Sequence, residues 1–168
     1  MRYLLMLVLL LLGLILPGTV FYFWSWGGVK PDLVMLFTIY MALHHRPMAG
    51  ALWGLGSGIL EDLYLGRHLG MYSLTLTGVA LLSGWLAQRW YRENFPLITL
   101  LVFVVTFAGQ ALIAFLSLGV GVQWTFNDAL RLMAGVSLYN AVLVPVTYPW
   151  IHRSFLKGWL RYRPKYER

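Results

Sequence analysis

Residues 50–70 read GALWGLGSGILEDLYLGRHLG, an apolar run with regularly spaced glycines and two adjacent carboxylates. Gly50, Gly54 and Gly58 recur every four residues, so a helical conformation places all three on one face. Because glycine has no side chain, such a face lets a second helix approach closely, which is how helices commonly associate in membranes. The stretch therefore predicts a membrane helix that packs tightly through its glycines.

The composition of the whole chain agrees with a membrane environment. Of 168 residues, 60% are hydrophobic and 11% are charged, against about a quarter charged in an ordinary soluble domain. This excludes a soluble enzyme and predicts a single-domain integral membrane protein. The chain has no cysteine, so disulfides and thiolate chemistry need not be considered. The net charge of +7 comes from basic residues between and after the apolar runs, which favours topology signals and anionic lipid contacts over nucleic-acid binding.

Six apolar segments follow one another along the chain, separated by short polar loops. They cover residues 3–23, 32–43, 48–60, 69–87, 95–118 and 130–151. A span takes about 20 apolar residues, so the second and third segments, with 12 and 13 residues, form either two full spans with extended ends or a re-entrant hairpin. We predict an all-α fold of about six transmembrane helices, with five spans and a hairpin as the alternative. No cleavage site follows the first segment, so we expect a retained helix rather than a cleaved signal peptide.

The distribution of basic residues predicts the orientation in the membrane. With six spans and a cytoplasmic amino terminus, ten Lys and Arg residues fall on the cytoplasmic side and three on the outer side. Both termini are therefore expected in the cytoplasm, with a transmembrane domain at 1–151 and a basic tail at 152–168. Three roles are open for this tail: it lies on the anionic inner leaflet, it only fixes the topology, or it docks a cytoplasmic partner. Its lipid-facing basic residues are predicted to be Arg153, Lys157, Arg161, Arg163 and Lys165.

Glu61 and Asp62 are two of only six acidic residues, and they directly follow the apolar run. The helix dipole disfavours negative charge at a helix carboxyl end, so capping of their own helix does not explain them. Three interpretations stay open: local pairing with Arg67 or His68, contact with a basic residue of a partner protein, or binding of a cation or solute. Asp32, by contrast, stands at the start of the second segment, where an acidic residue is expected to cap the helix.

The sequence contains no recognisable catalytic or metal-binding constellation. The glycine run superficially resembles the Gly-x-Ser-Gly motif of intramembrane serine proteases, but Leu55 occupies the position two residues before Ser57. The four histidines fall at predicted segment ends, where none can act as a base at a helix centre. Gln110 and Asn140 are expected to hydrogen-bond between helices. We therefore predict no enzyme activity, no catalytic residue, no cofactor and no metal.

A set of residues between positions 31 and 70 carries a resemblance to a known family. The set comprises Pro31, Asp32, Tyr40, Arg46, Pro47, Gly50, Gly54, Gly58, Asp62, Gly66, Leu69 and Gly70. In this order and spacing, within a small polytopic chain with a basic tail, it resembles the MreD family of bacterial rod shape-determining proteins. The resemblance implies a non-enzymatic subunit of the cell-elongation complex in the bacterial inner membrane, required for rod shape and for positioning peptidoglycan synthesis. The implied partners are the bitopic protein MreC and, through it, RodA, a penicillin-binding transpeptidase and, indirectly, MreB.

The family also resembles, in its architecture, the six-helix substrate-binding subunits of energy-coupling-factor vitamin transporters. A solute-binding transporter subunit is therefore the alternative function. For the glycine face, packing within the chain is favoured over a dimer contact, and a bitopic partner is also expected to bind through this face. We further expect Asp62→Asn to weaken function more than Asp32→Asn. The residues of partner contact or helix packing are predicted to be Gly50, Gly54, Gly58, Asp62, Gly66, Gly70 and Asp32.

Overall fold

The computed structural model describes residues 2–23, 28–45, 47–66, 69–90 and 94–156, and every regular element within these ranges is a helix. Each helix coincides with one of the six apolar segments, so the predicted all-α class is confirmed. The helices are α1 Arg2–Phe23, α2 Leu33–His44, α3 Pro47–Leu65, α4 Met71–Trp90, α5 Phe95–Gly119 and α6 Phe126–Leu156.

The short helix α2 forms the centre of the bundle. All nine residues from Val34 to Ala42 are buried, and α2 contacts each of the other five helices. A helix that is apolar all round is stable only when protein or lipid covers every side. Its 12 residues make it roughly 18 Å long at 1.5 Å per residue. A short helix can therefore be apolar on every side here, since the longer helices around α2 enclose it.

Helices α3 and α4 pack as an antiparallel pair along their whole length. Pro47 at the start of α3 lies beside Gly84 near the end of α4, and Gly58 near the end of α3 lies beside Ser73 near the start of α4. The third segment was predicted to end at residue 60, whereas α3 continues through both carboxylates to Leu65. Both acidic residues therefore lie inside the helix, and their side chains are buried in the fold.

Within the described ranges, two helices are long and apolar enough to cross a membrane. These are α5, Phe95–Gly119, and the Phe126–Ser154 part of α6, whereas Met6–Val20 in α1 and Leu33–His44 in α2 are apolar but shorter. The membrane environment predicted from composition is thus supported by helix length, and six full spans stay a prediction. Helix α6 runs to Leu156, so the predicted domain boundary after residue 151 falls inside a helix. Arg153 lies in its last turn, and the tail residues Lys157, Arg161, Arg163 and Lys165 lie outside the described residues.

Candidate functional site

The glycine face of α3 is covered by helices of the same chain. A Cβ atom at Gly50 would lie 2.9 Å from the Cα atom of Ala42 in α2. At Gly58 it would lie 2.6 Å from the backbone nitrogen of Ser73, and at Gly54 it would meet the backbone of Leu76, both in α4. Backbone atoms cannot move aside as a flexible side chain can, so glycine is required at these positions.

This packing confirms one of the two expectations for the glycine face and corrects the other. Gly50, Gly54 and Gly58 are buried and serve contacts within the chain, as favoured from the sequence. The expectation that a bitopic partner binds through the same face is wrong, because α2 and α4 already occupy it. Gly56 differs from Gly50, Gly54 and Gly58, since a Cβ at this position would meet no described atom of another helix within 4 Å.

Gly66 and Gly70 shape the turn between α3 and α4. Their φ angles are +60° and +101°, in the left-handed region that side-chain-bearing residues rarely adopt. The Gly66 N–H donates to the carbonyl oxygen of Asp62 at 3.0 Å, which ends α3. Both glycines thus have a backbone role, and a Cβ at either position would meet nothing within 4 Å among the described residues beyond its chain neighbours.

Asp62 is a helix cap, but of the helix that follows its own. Its Oδ2 atom accepts hydrogen bonds from the N–H of Gly70 and the N–H of Ser73, each at 3.0 Å, and from the Ser73 hydroxyl at 2.6 Å. Its Oδ1 atom accepts from the N–H of Tyr72 at 3.0 Å. These donors are orphan groups at the amino end of α4, where the helix dipole also favours a negative charge. The alternative partners Arg67 and His68 lie outside the described residues.

Asp32 caps α2, as predicted. Its Oδ1 atom accepts a hydrogen bond from the Met35 N–H at 2.9 Å, and its Oδ2 atom accepts one from the Gln110 side chain at 3.2 Å. Asn140 in α6 holds the same residue by its backbone: its Oδ1 accepts from the Asp32 N–H and its Nδ2 donates to the Asp32 carbonyl oxygen. The predicted role of Gln110 and Asn140 as interhelical hydrogen-bonding groups is confirmed, since together they tie the start of α2 to α5 and α6.

A cavity of about 380 Å³ lies beside this network. Its walls come from the second half of α1, the segment before α2, the last turns of α3 and parts of α4, α5 and α6. Glu61 lines it, is only 9% exposed, and has an Oε2 atom with no hydrogen-bond partner in the part of the chain that the structure describes. The polar residues lining the cavity are Lys30, Asp32, Glu61, Tyr64, Tyr72 and Gln110.

A second polar cluster lies at the opposite end of α2. The His44 Nε2 atom is 3.1 Å from the His152 Nδ1 atom, and the Tyr40 hydroxyl is 2.8 Å from the Thr147 hydroxyl. The Tyr148 ring stacks on the His152 ring with centroids 5.2 Å apart. These contacts join α2 to the second half of α6. Among the described residues, no three His, Cys, Asp or Glu side chains come together in a group that could hold a metal ion.

The fold and these contacts define a helical membrane protein whose polar groups largely serve its own packing. The family model for the rod shape-determining protein MreD matches residues 1–157, and the chain therefore belongs to the MreD family. Members of this family are bacterial inner-membrane proteins of the MreB/MreC cell-shape machinery, with a structural role in rod-shape determination. No curated protein and no solved structure matches the chain.

Proposed function

We propose that this protein is a non-enzymatic scaffold of the cell-elongation complex that binds the transmembrane segment of MreC and so positions peptidoglycan synthesis. The observation that carries the proposal is the family match over residues 1–157. In this proposal the chain crosses the inner membrane six times with both termini in the cytoplasm. RodA, its cognate transpeptidase and MreB are then reached through MreC.

The packing of the described residues supports a scaffold. The side chains of Asp32, Asp62 and Asn140 are all engaged in hydrogen bonds within the fold. A residue that holds two helices together in this way is committed to the geometry of the bundle. These three polar side chains thus hold helices of the bundle together, which helps a subunit to present a fixed surface to its partners.

The outward face of α3 is the surface that we assign to MreC. Leu52 is 70% exposed and Leu63 is 63% exposed, and Gly56 lies between them with open space above it. In a membrane, where burial of apolar surface gives no drive for association, a small residue on an exposed helix allows a second helix to approach closely. A single-spanning partner therefore gains its best packing at Gly56.

Gly56→Leu tests this contact. The substitution should reduce the amount of MreC that co-purifies with the protein by about tenfold, since the leucine side chain fills the space through which a second helix would approach Gly56. Cells that depend on the variant should become round. The protein itself should accumulate normally, because no other helix in the described part of the chain lies within 4 Å of the added Cβ.

Gly119→Leu is the matched control, since a Cβ at Gly119 would also meet no other residue within 4 Å and the position lies at the end of α5, away from α3. Co-purification and rod shape should be unchanged in this variant. Equal recovery of MreC with both variants would show that the partner does not bind at Gly56.

The cavity beside α2 favours a second candidate function, a solute-binding membrane subunit of a vitamin-type transporter. A volume of about 380 Å³ falls in the range of about 300–1,000 Å³ typical of small-molecule sites. Transport would also need a path to the other end of the bundle, whereas α2 is buried along its length and is tied to α6 there by the His44–His152 contact. The scaffold function is therefore preferred. Uptake of a solute into cells that express the chain would favour the transporter function instead.

A further inference from the structure

Glu61 is the acidic side chain that the packing of the fold does not explain. Among the described residues, only its Oε2 atom and the Thr75 hydroxyl are buried side-chain atoms without a hydrogen-bond partner. Burial of an ionised carboxylate without a partner costs far more than burial of a hydroxyl. Asp62, the next residue, uses both of its oxygens in hydrogen bonds. Glu61 therefore has a free acceptor at a place where the fold gains nothing from it.

Glu61, the residue that carries this acceptor, lines a space that is large enough for a ligand. The cavity of about 380 Å³ is lined by Glu61 together with apolar residues of α1 and α6 and the rings of Tyr64 and Tyr72. Its walls all come from the same end of the bundle, which is the end distant from the amino terminus of α1. Under the proposed orientation this is the outer end.

The charges that line the cavity favour a cation. Its acidic residues are Asp32 and Glu61 and its basic residue is Lys30, so carboxyl groups outnumber basic groups by one. The Asp32 carboxylate already accepts hydrogen bonds from Met35 and Gln110. Glu61 is thus the carboxylate that remains for a ligand. The rings of Tyr64 and Tyr72 can contact the remainder of that ligand.

We propose that this cavity binds an organic cation, whose ammonium or guanidinium group donates hydrogen bonds to Glu61 while its apolar part packs against α1. The same chemistry is available from a free amine or guanidine and from a Lys or Arg side chain of a neighbouring protein. A charge-assisted hydrogen bond to the carboxylate provides both affinity and selection for the cation.

The test uses n-butylguanidinium as the probe and n-butylurea as its uncharged counterpart of equal size. Each is titrated by calorimetry into the full chain in detergent micelles at neutral pH. The cation should bind saturably at one site per chain, and the urea should bind at least about tenfold more weakly, since it lacks the charge that pairs with the carboxylate. Absence of saturable binding, or equal binding of both probes, would overturn the proposal.

Glu61→Gln identifies the residue that holds the probe. This variant should bind n-butylguanidinium about tenfold more weakly than the unchanged chain. Its melting temperature without ligand should be equal or higher, because a neutral amide is less costly to bury than a carboxylate. The matched control is Asp128→Asn, which removes one exposed acid from the first turn of α6 and should leave binding unchanged. Undiminished binding by Glu61→Gln would refute the assignment.

A repeat of the titration on the complex with MreC distinguishes the two sources of the cation. A partner side chain in the cavity would exclude the probe from the complex, whereas a free ligand would leave the probe's affinity the same as for the isolated chain. Either result is compatible with the cation site and identifies its natural occupant. The titration on the isolated chain does not depend on the scaffold proposal, so the cation site and the scaffold can fail separately.

Discussion

Gly58→Ala should lower the free energy of unfolding by about 2–3 kcal/mol, whereas Gly56→Ala should raise it by up to about 1 kcal/mol. The two substitutions add the same methyl group to the same helix two residues apart. At Gly58 the new atom would lie 2.6 Å from the Tyr72 carbonyl oxygen, so α3 and α4 must move apart. At Gly56 it meets no other residue, and only the better helix propensity of alanine remains.

Reversible unfolding of the purified variants by denaturing detergent in mixed micelles measures this difference. Gly54→Ala should behave like Gly58→Ala, since its Cβ would also meet the backbone of α4. Membrane accumulation should follow the same order and serves as a second readout in cells. A loss of stability of similar size at Gly56 and Gly58 would mean that the glycines act through backbone flexibility, and not through the α3–α4 contact.

Much of the helical fold could be predicted because each helix overlaps one of the six apolar segments. The starts of α1, α2 and α5 lie within one residue of the predicted segments. Among the first four helices, the largest difference is at the end of α3, where the sequence predicts a limit at residue 60, just before two carboxylates, and the helix continues to Leu65. In the structure the Asp62 carboxylate is neutralised by the amino end of α4, so α3 can extend past it. A cap supplied from a neighbouring helix has no local signal in the sequence.

The contacts of the site were predictable only where they are local or repeat with helical spacing. The cap by Asp32 and the shared face of the glycines follow from spacing along one helix. The bond between Asp32 and Asn140, and that between His44 and His152, join residues 108 positions apart. Such pairs depend on which helices become neighbours, and a single sequence does not specify this. For the same reason, the cavity beside Glu61 could not be predicted, since it is bounded by all six helices.

Asp62→Asn should lower the free energy of unfolding by about 2–3 kcal/mol, and Asp32→Asn by less than about 1 kcal/mol. Both oxygens of Asp62 accept hydrogen bonds from backbone N–H groups, so in either orientation the asparagine NH₂ group meets another donor. At Asp32 one oxygen accepts from the Gln110 side chain. That amide can rotate and offer its oxygen to the new NH₂ group, which restores the bond.

This difference in stability gives a physical basis for the larger functional effect expected at position 62. The melting temperatures of the two variants in micelles measure it directly, and the shape of cells that depend on each variant gives the functional order. Ser73→Ala is the control for the cap, because it removes one of the four hydrogen bonds to Asp62 and should cost about 1 kcal/mol. Equal melting temperatures for Asp62→Asn and Asp32→Asn would contradict the capping role of Asp62. A stable Asp62→Asn protein that fails to support rod shape would show instead that the carboxylate acts on a partner.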